Sequence, residues 1–361
     1  KASSNSEQRV TSETRLSSLF KLSAFALSLS AVMMPAQAQV IAGEVVAANV
    51  ASTAIGIGDA NTKALGENST AIGNSANVTS TGLNSKAIGN NVTVTRPNVT
   101  AIGNNVSVTT SGKESTAIGN NVTVTQPNVT AIGNDVTVTK PNVTAIGNNV
   151  SGRYTDSIFI GDNTGTAGGN RVARSILIGK NAQVGDPAII NPQFSQAIAI
   201  GAGNNPTPTK PSITEGAWAR GDQSIAIGGN VVAYGNSSIA LGGDDLNAVG
   251  SITYTDTDNH KFINYDDKGS KTGEYNLKGK SLRDIYKQMT GDTMNYAVYE
   301  NSISGEGSVA LGVQANSSAA LSLAIGTKSK ATMFGATAIG TGAKAGKLNS
   351  VALGTASVVN K

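Results

Sequence analysis

Ser224-Ile225-Ala226-Ile227-Gly228 decides how this chain folds, because the same phrase returns along most of its length. It stands again as Ala197-Ile198-Ala199-Ile200-Gly201 and as Ser308-Val309-Ala310-Leu311-Gly312. Sixteen units of small residue, aliphatic residue and glycine end at Gly58, Gly73, Gly89, Gly103, Gly119, Gly133, Gly147, Gly161, Gly179, Gly201, Gly228, Gly242, Gly312, Gly326, Gly340 and Gly354. Fourteen residues is the commonest spacing, and the exceptions are longer: 15, 16, 18, 22, 27 and 70. A fixed short period with longer exceptions is the mark of a solenoid whose turns tolerate insertions.

Within a unit, a second glycine (Gly66, Gly82, Gly112, Gly221, Gly235 and Gly305) lies seven residues before the next unit glycine. One coil is thus two short strands and two tight turns, with glycine where φ must be positive or backbones crowd. The alternating Val92-Thr93-Val94-Thr95, with copies at 122–125 and 136–139, supplies the second strand. There Arg96, Gln126 and Lys140 replace the midway glycine, and Pro97, Pro127 and Pro141 set the turn instead. Alternation sends Ser and Ala to one face and the aliphatics to the other. A flattened 14-residue coil has room inside only for small side chains, so Ser and Ala line it and the aliphatics form an outward stripe. Such a stripe is too large for a soluble monomer to expose, which predicts self-association through Ile198, Ile200, Ile225, Ile227, Val309 and Leu311. The excess residues of long coils all fall before the midway glycine, which predicts a single corner for excursions, facing away from the oligomer axis.

Composition agrees with a thin, repeated core. Of 361 residues 42 are glycine, only 4% are aromatic and 14% charged, while 39% are hydrophobic and the net charge is +4, too apolar for a disordered chain. The basic residues form no run or stripe despite a pI near 9.1, so nucleic acid is not an expected partner. There is no cysteine and His260 is the one histidine, which rules out cysteine-based metal sites and a histidine cluster within one chain. No cofactor, metal or catalytic residue is expected. Residues 22–34 are apolar, follow Arg9, Arg15 and Lys21, and precede Ala36-Gln37-Ala38, the pattern of an export signal cut after Ala38.

The repeats Ser69-Thr70-Ala71-Ile72-Gly73 and Asn349-Ser350-Val351-Ala352-Leu353-Gly354 resemble the head repeats of YadA-like trimeric autotransporter adhesins. The resemblance covers roughly Ala54 to Asn360 apart from one insertion. It implies an all-β, left-handed parallel β-roll that trimerises at the tip of a stalk, exported through a C-terminal outer-membrane anchor. Neither stalk heptads nor anchor strands occur, so the sequence reads as an N-terminal fragment, meeting the membrane only through that absent anchor. The implied organisation is an export segment (1–38), a lead-in (39–53), head coils (54–244), a small mixed α+β insertion (245–304) and further head coils (305–361). The implied activity is non-enzymatic attachment to host matrix, host cells or other bacteria at the surface of a Gram-negative-type bacterium.

Two regions carry candidate contacts. Arg220-Gly221-Asp222 spells an integrin-recognition tripeptide beside Trp218, although Gly221 is also simply the midway glycine and Asp222 matches Glu67 and Asn236 of other coils. The insertion concentrates tyrosines, Tyr254 and Tyr265 among them. It predicts strands at 251–255, 261–265 and 274–277, then a helix opened by Ser281, capped through Asp284, faced by Leu282, Ile285, Tyr286 and Met289, and ended by Gly291. Asn-x-Thr/Ser triplets at Asn77, Asn91, Asn98, Asn121, Asn128 and Asn142 read as turn residues. A polysaccharide-active β-helix enzyme would need convergent carboxylates, which are missing. An ice-binding Thr ladder at Thr93/Thr95, Thr123/Thr125 and Thr137/Thr139 spans only a few coils.

Overall fold

The computed structural model describes residues 37–40, 45–48, 51–57, 61–165, 172–185, 194–203, 216–255, 260–265, 268–294 and 300–360. The chain divides into two units, Lys1–Thr139 and Lys140–Lys361. Each is a parallel β-solenoid of roughly 14-residue coils.

In the first unit the strands Thr70–Val78, Lys86–Val94, Thr100–Val108, Thr116–Val124 and Val129–Val138 stack with like residues in register. Ala71, Ala87, Ala101, Ala117 and Ala131 form an inward column without solvent exposure, and Val92, Val94, Val106 and Val108 are equally buried. The isoleucines beside the alanines, Ile72 to Ile132, point outward and are half-buried. Alternation along a strand does this without further instruction.

The two glycines of a coil serve different needs. Gly103 has φ +141°, and a Cβ there would lie 1.8 Å from the carbonyl oxygen of Gly119 in the next coil. Gly221 has ordinary φ, but its Cβ would lie 2.0 Å from the Gly235 oxygen, so only crowding requires it. The buried serine three residues on closes that turn: Ser224 Oγ donates to the Gly221 carbonyl and Ser238 Oγ to that of Gly235, each at 2.7 Å. A buried hydroxyl is thereby satisfied at no cost in volume. Positive φ otherwise recurs every seven residues, at Asn84, Asn91, Asn98 and Asn105, then Asn121, Asn128 and Asp135. Asparagine tolerates this conformation, and in register its amides bond up the stack: Asn91 Nδ2 donates to Asn105 Oδ1 at 2.8 Å and Asn105 to Asn121 at 3.0 Å. Asn98, Asn128 and Asn142 are therefore turn residues as expected, whereas Asn91 and Asn121 bend the strands Lys86–Val94 and Thr116–Val124 at positive φ, and Asn77 lies within the strand Thr70–Val78 without it.

The first repeat needs a correction. Gly56, not Gly58, pairs with Gly73, because Ala54 is the inward residue matched to Ala71, and Ile57 is left 52% exposed. The ladder also reaches back, with Gln37–Val40 pairing with Thr53–Gly56 and Val45–Ala47 with Thr62–Ala64. The expected export segment lies outside the described residues, save that Gln37 and Ala38 belong to the first of these strands.

In the second unit one ladder runs through Ser157–Asp162, Ile176–Ile178, Ile198–Ile200, Ile225–Ile227, Ile239–Leu241, Val309–Leu311, Leu323–Ile325, Thr337–Ile339 and Val351–Leu353. The 70-residue spacing closes as one rung, Ile239 pairing with Val309. A second ladder runs from Gln183–Val184 and Trp218–Ala219 through Val231–Ala233 and Ser302–Ser304 to Val358–Val359.

These registers overturn two expectations. Excursions leave from both corners, not one. The chain departs after Asp244 and rejoins at Ser302 opposite Val231, before the second strand of its coil. The two extra residues of the coil ending at Gly89 instead fall after a second strand, since seven residues (79–85) join Val78 to Lys86 where five (95–99) join Val94 to Thr100. A parallel ladder constrains only strand register, so either solvent-facing turn can lengthen. The interior also holds more than small side chains: Phe159 and Leu177, fully buried, occupy the alanine position. The strand before Phe159 carries buried Gly152, fourteen residues after Val138, at a position where Val94, Val108, Val124 and Val138 stand in the first unit; a smaller residue there is consistent with a larger one at 159.

The insertion is mixed, as expected, but ordered differently at its start. Residues Asn247–Ser251 are helical, and Thr253 makes only an isolated bridge to Ser281, so no strand forms at 251–255. Lys261–Tyr265 pairs antiparallel with Lys271–Asn276. The helix Leu282–Thr290 is capped by Ser281, whose Oγ accepts the Asp284 N–H, and ends at Gly291 with φ 69°.

Candidate binding surfaces

The outward stripe lies where alternation places it. Ile198 stacks on Ile225 and Ile200 on Ile227, all half-buried, while Val309 and Leu311 continue the two columns one rung beyond Ile239 and Leu241. Leu311 is 42% exposed, Leu323, Ile325 and Ile339 beyond it are half-buried, and the last rung of the ladder is the most exposed, with Val351 at 62% and Leu353 at 70%. In the first unit the same two outward positions are mostly threonine and isoleucine, as in Thr70 and Ile72, so the doubly aliphatic stripe belongs to the second unit. A further apolar group at the turn preceding the stripe, Leu321, Met333, Phe334 and Leu348, is also exposed. Sequence reasoning passed over it, although the 14-residue spacing of Phe334 and Leu348 was a usable signal.

Trp218 and Arg220 do come together, and Asp222 follows them in the same turn, where its backbone bonds to Asn236. The Arg220 guanidinium lies 4.6 Å from the ring centroids of both Trp218 and Tyr234. Two aromatic faces on one cation stabilise it by about 0.5–2 kcal/mol per face. Trp218 Nε1 donates to the Gly185 carbonyl at 2.9 Å, which fixes the indole. The backbone N–H of Asp222 donates to Asn236 Oδ1 at 2.8 Å, and that of Asn236 to Glu306 Oε2 at 2.9 Å. The tripeptide is thus part of a coil turn, its arginine gripped by two rings and its glycine hemmed in by Gly235. Tyr234, one coil on from Arg220, is the member that sequence reasoning missed.

Tyr254 and Tyr265 lie elsewhere, in the insertion. The Tyr254 hydroxyl is 3.3 Å from His260 Nδ1, and Tyr265 pairs with Lys271 at the end of the hairpin. Across that hairpin Glu274 bonds Lys261 and Lys271 together. The two ammonium groups, Lys261 first, hold its carboxyl down to about 2. Because the folded value lies below the ordinary one, any stabilisation is complete at neutral pH and fades only as pH falls toward 2. In a carboxyl NMR titration Glu274 is expected to keep its charge through pH 4; a midpoint near 4.5 would mean that the clamp is absent.

Among the described residues no group of three or more His, Asp or Glu is placed to hold a metal ion, and no helix is long and apolar enough to cross a membrane.

Coils with stacked glycines, buried alanines and an outward aliphatic pair define a head-type parallel β-roll. The family model for the YadA head domain repeat (2 copies) matches residues 47–76, 111–135, 215–230, 219–244, 304–329 and 331–357, on coils of both units and on either side of the insertion. These matches support a YadA-like head domain of the trimeric autotransporter adhesin type. A comparison with curated proteins finds no match.

Proposed function

We propose that this chain is the ligand-presenting head of a cell-surface adhesin, exported behind residues 1–38 and displayed as a homotrimer on the outer face of a Gram-negative-type bacterium. It attaches to host matrix, host cells or sister bacteria by binding alone, without catalysis. The two aliphatic columns of the second unit carry this reading. Each rung leaves a pair of branched side chains half-exposed, and covering them stabilises an assembly by about 25 cal/mol per Å² of apolar surface removed from water. Ile198, Ile200, Ile225, Ile227, Val309 and Leu311 are the residues we assign to that interface. Trp218, Arg220, Asp222, Tyr254 and Tyr265 are the contact residues we assign to the ligand side. Three copies of a weak patch raise avidity by about 10²–10⁴-fold over one copy.

Serine at Ile225, Ile227, Val309 and Leu311 together tests this, since these outward side chains can change without emptying the core. The expected variant keeps its β-sheet circular dichroism, sediments as a monomer and loses about 10²-fold or more in adhesion to immobilised matrix protein or cells. A variant that stays trimeric removes the stripe from the interface. A monomeric variant that adheres as tightly as the parent removes multivalency.

A further inference from the structure

We infer that residues 281–294, together with Glu300, form a strap that folds back onto the coils that follow in the chain and ties three successive rungs together. Buried Tyr286 packs with Leu246 and Met294 against Val313 of the first of these coils. Asp292 reaches Lys344 at 3.3 Å, and Glu300 reaches Lys328 at 3.5 Å and Lys330 at 3.8 Å, on the second and third. Lys330 and Lys344 are themselves register partners one rung apart.

The repeat is altered to receive this strap. Gln314, Lys328 and Gly342 hold the same left-handed turn position in three consecutive coils, with φ 56°, 54° and 68°. The first two side chains run up the corner: Gln314 Nε2 donates to the Asp244 carbonyl at 2.6 Å, and Lys328 Nζ to Gln314 Oε1 at 3.0 Å. At Gly342 the side chain is missing and the helix takes its place. A Cβ there would lie 2.6 Å from Thr290 Cγ2 and 3.2 Å from the Tyr286 hydroxyl oxygen. Lys328 is only 4% exposed, a poor setting for an ammonium group without an acceptor and a carboxylate, and Gln314 and Glu300 supply both.

Such a contact is unusual for a solenoid. Each repeat ordinarily touches only its neighbours, and terminal coils fray one at a time. Joining the coil of Val313 to the coil of Gly342 adds a link across a whole rung, so residues 313–345 open as one unit. The insertion is then two parts with separate roles. Residues 281–294 and Glu300 clamp the coils, and the hairpin Lys261–Tyr265/Lys271–Asn276 is the part left to face outward.

Hydrogen exchange on the full chain tests the strap. Asp292→Asn with Glu300→Gln cuts its ion pairs and leaves every coil residue unchanged. Gly342→Gln restores the side chain that position 314 already carries at similar φ, and displaces the helix. Both variants are expected to exchange about tenfold faster or more throughout 313–345, together with 282–294. Raising salt to about 1 M is expected to bring the parent toward the Asp292→Asn/Glu300→Gln variant, because the pairs are partly exposed and screened. Faster exchange confined to 282–294, with the coils unchanged in both variants, would overturn the strap, and so would no change in either.

Discussion

Gly103→Ala is expected to destabilise the first unit by about 4 kcal/mol or more in denaturant unfolding, an unusually large loss for one methyl group. Two costs add. At φ +141° a side chain enters a region that only glycine populates freely, which costs about 1–3 kcal/mol. The new Cβ would also stand 1.8 Å from the Gly119 carbonyl oxygen, so a rung of the ladder must move. It cannot move alone, because Gly89 is stacked just as closely on Gly103 from the coil before, where a Cβ would lie 1.8 Å from the Gly103 oxygen. Gly269→Ala is the control: φ is +78°, nothing lies within 4 Å, and only the turn conformation is penalised, by about 1–2 kcal/mol. Equal losses at the two positions would show that the stacked glycines do not set the coil spacing.

Phe159→Ala is expected to cost about 3–5 kcal/mol in the second unit. Its ring is fully buried, and Tyr154 stacks on it with centroids 6.3 Å apart and planes 22° from parallel. Alanine is what most coils carry at this position, so the damage would come from the void alone. That void is specific to a coil in which Gly152 replaces valine. Adding Gly152→Val to Phe159→Ala is therefore expected to recover part of the loss, whereas Gly152→Val alone overpacks the coil by about 1–3 kcal/mol. Strictly additive effects in this cycle would deny the exchange of volume between the two strands.

Much of the candidate surface was legible beforehand, and the gaps have physical causes. The stripe through Ile198, Ile225 and Val309 follows from alternation, a local property that any strand obeys. The helix opened by Ser281 follows from capping chemistry, local too. Tyr234 escaped because its partner Arg220 is 14 residues away, near only through the ladder. Strand 251–255 failed because Ser251 closes a helix capped by Ile252, which leaves Thr253 with only a single bridge to Ser281. The single corner for excursions failed because counting residues between glycines cannot say on which side of a strand the excess falls.

The period of 14, the inward alanines and the outward aliphatics were thus settled by the sequence itself, since a parallel ladder of backbone hydrogen bonds admits only registers that repeat with it. The capacity of the interior around Phe159, the two corners of excursion and the approach of the helix Leu282–Thr290 to Gly342 were decided only by tertiary structure. Each depends on what stands opposite a residue across the coil or several rungs away, and distance along the chain says nothing of that.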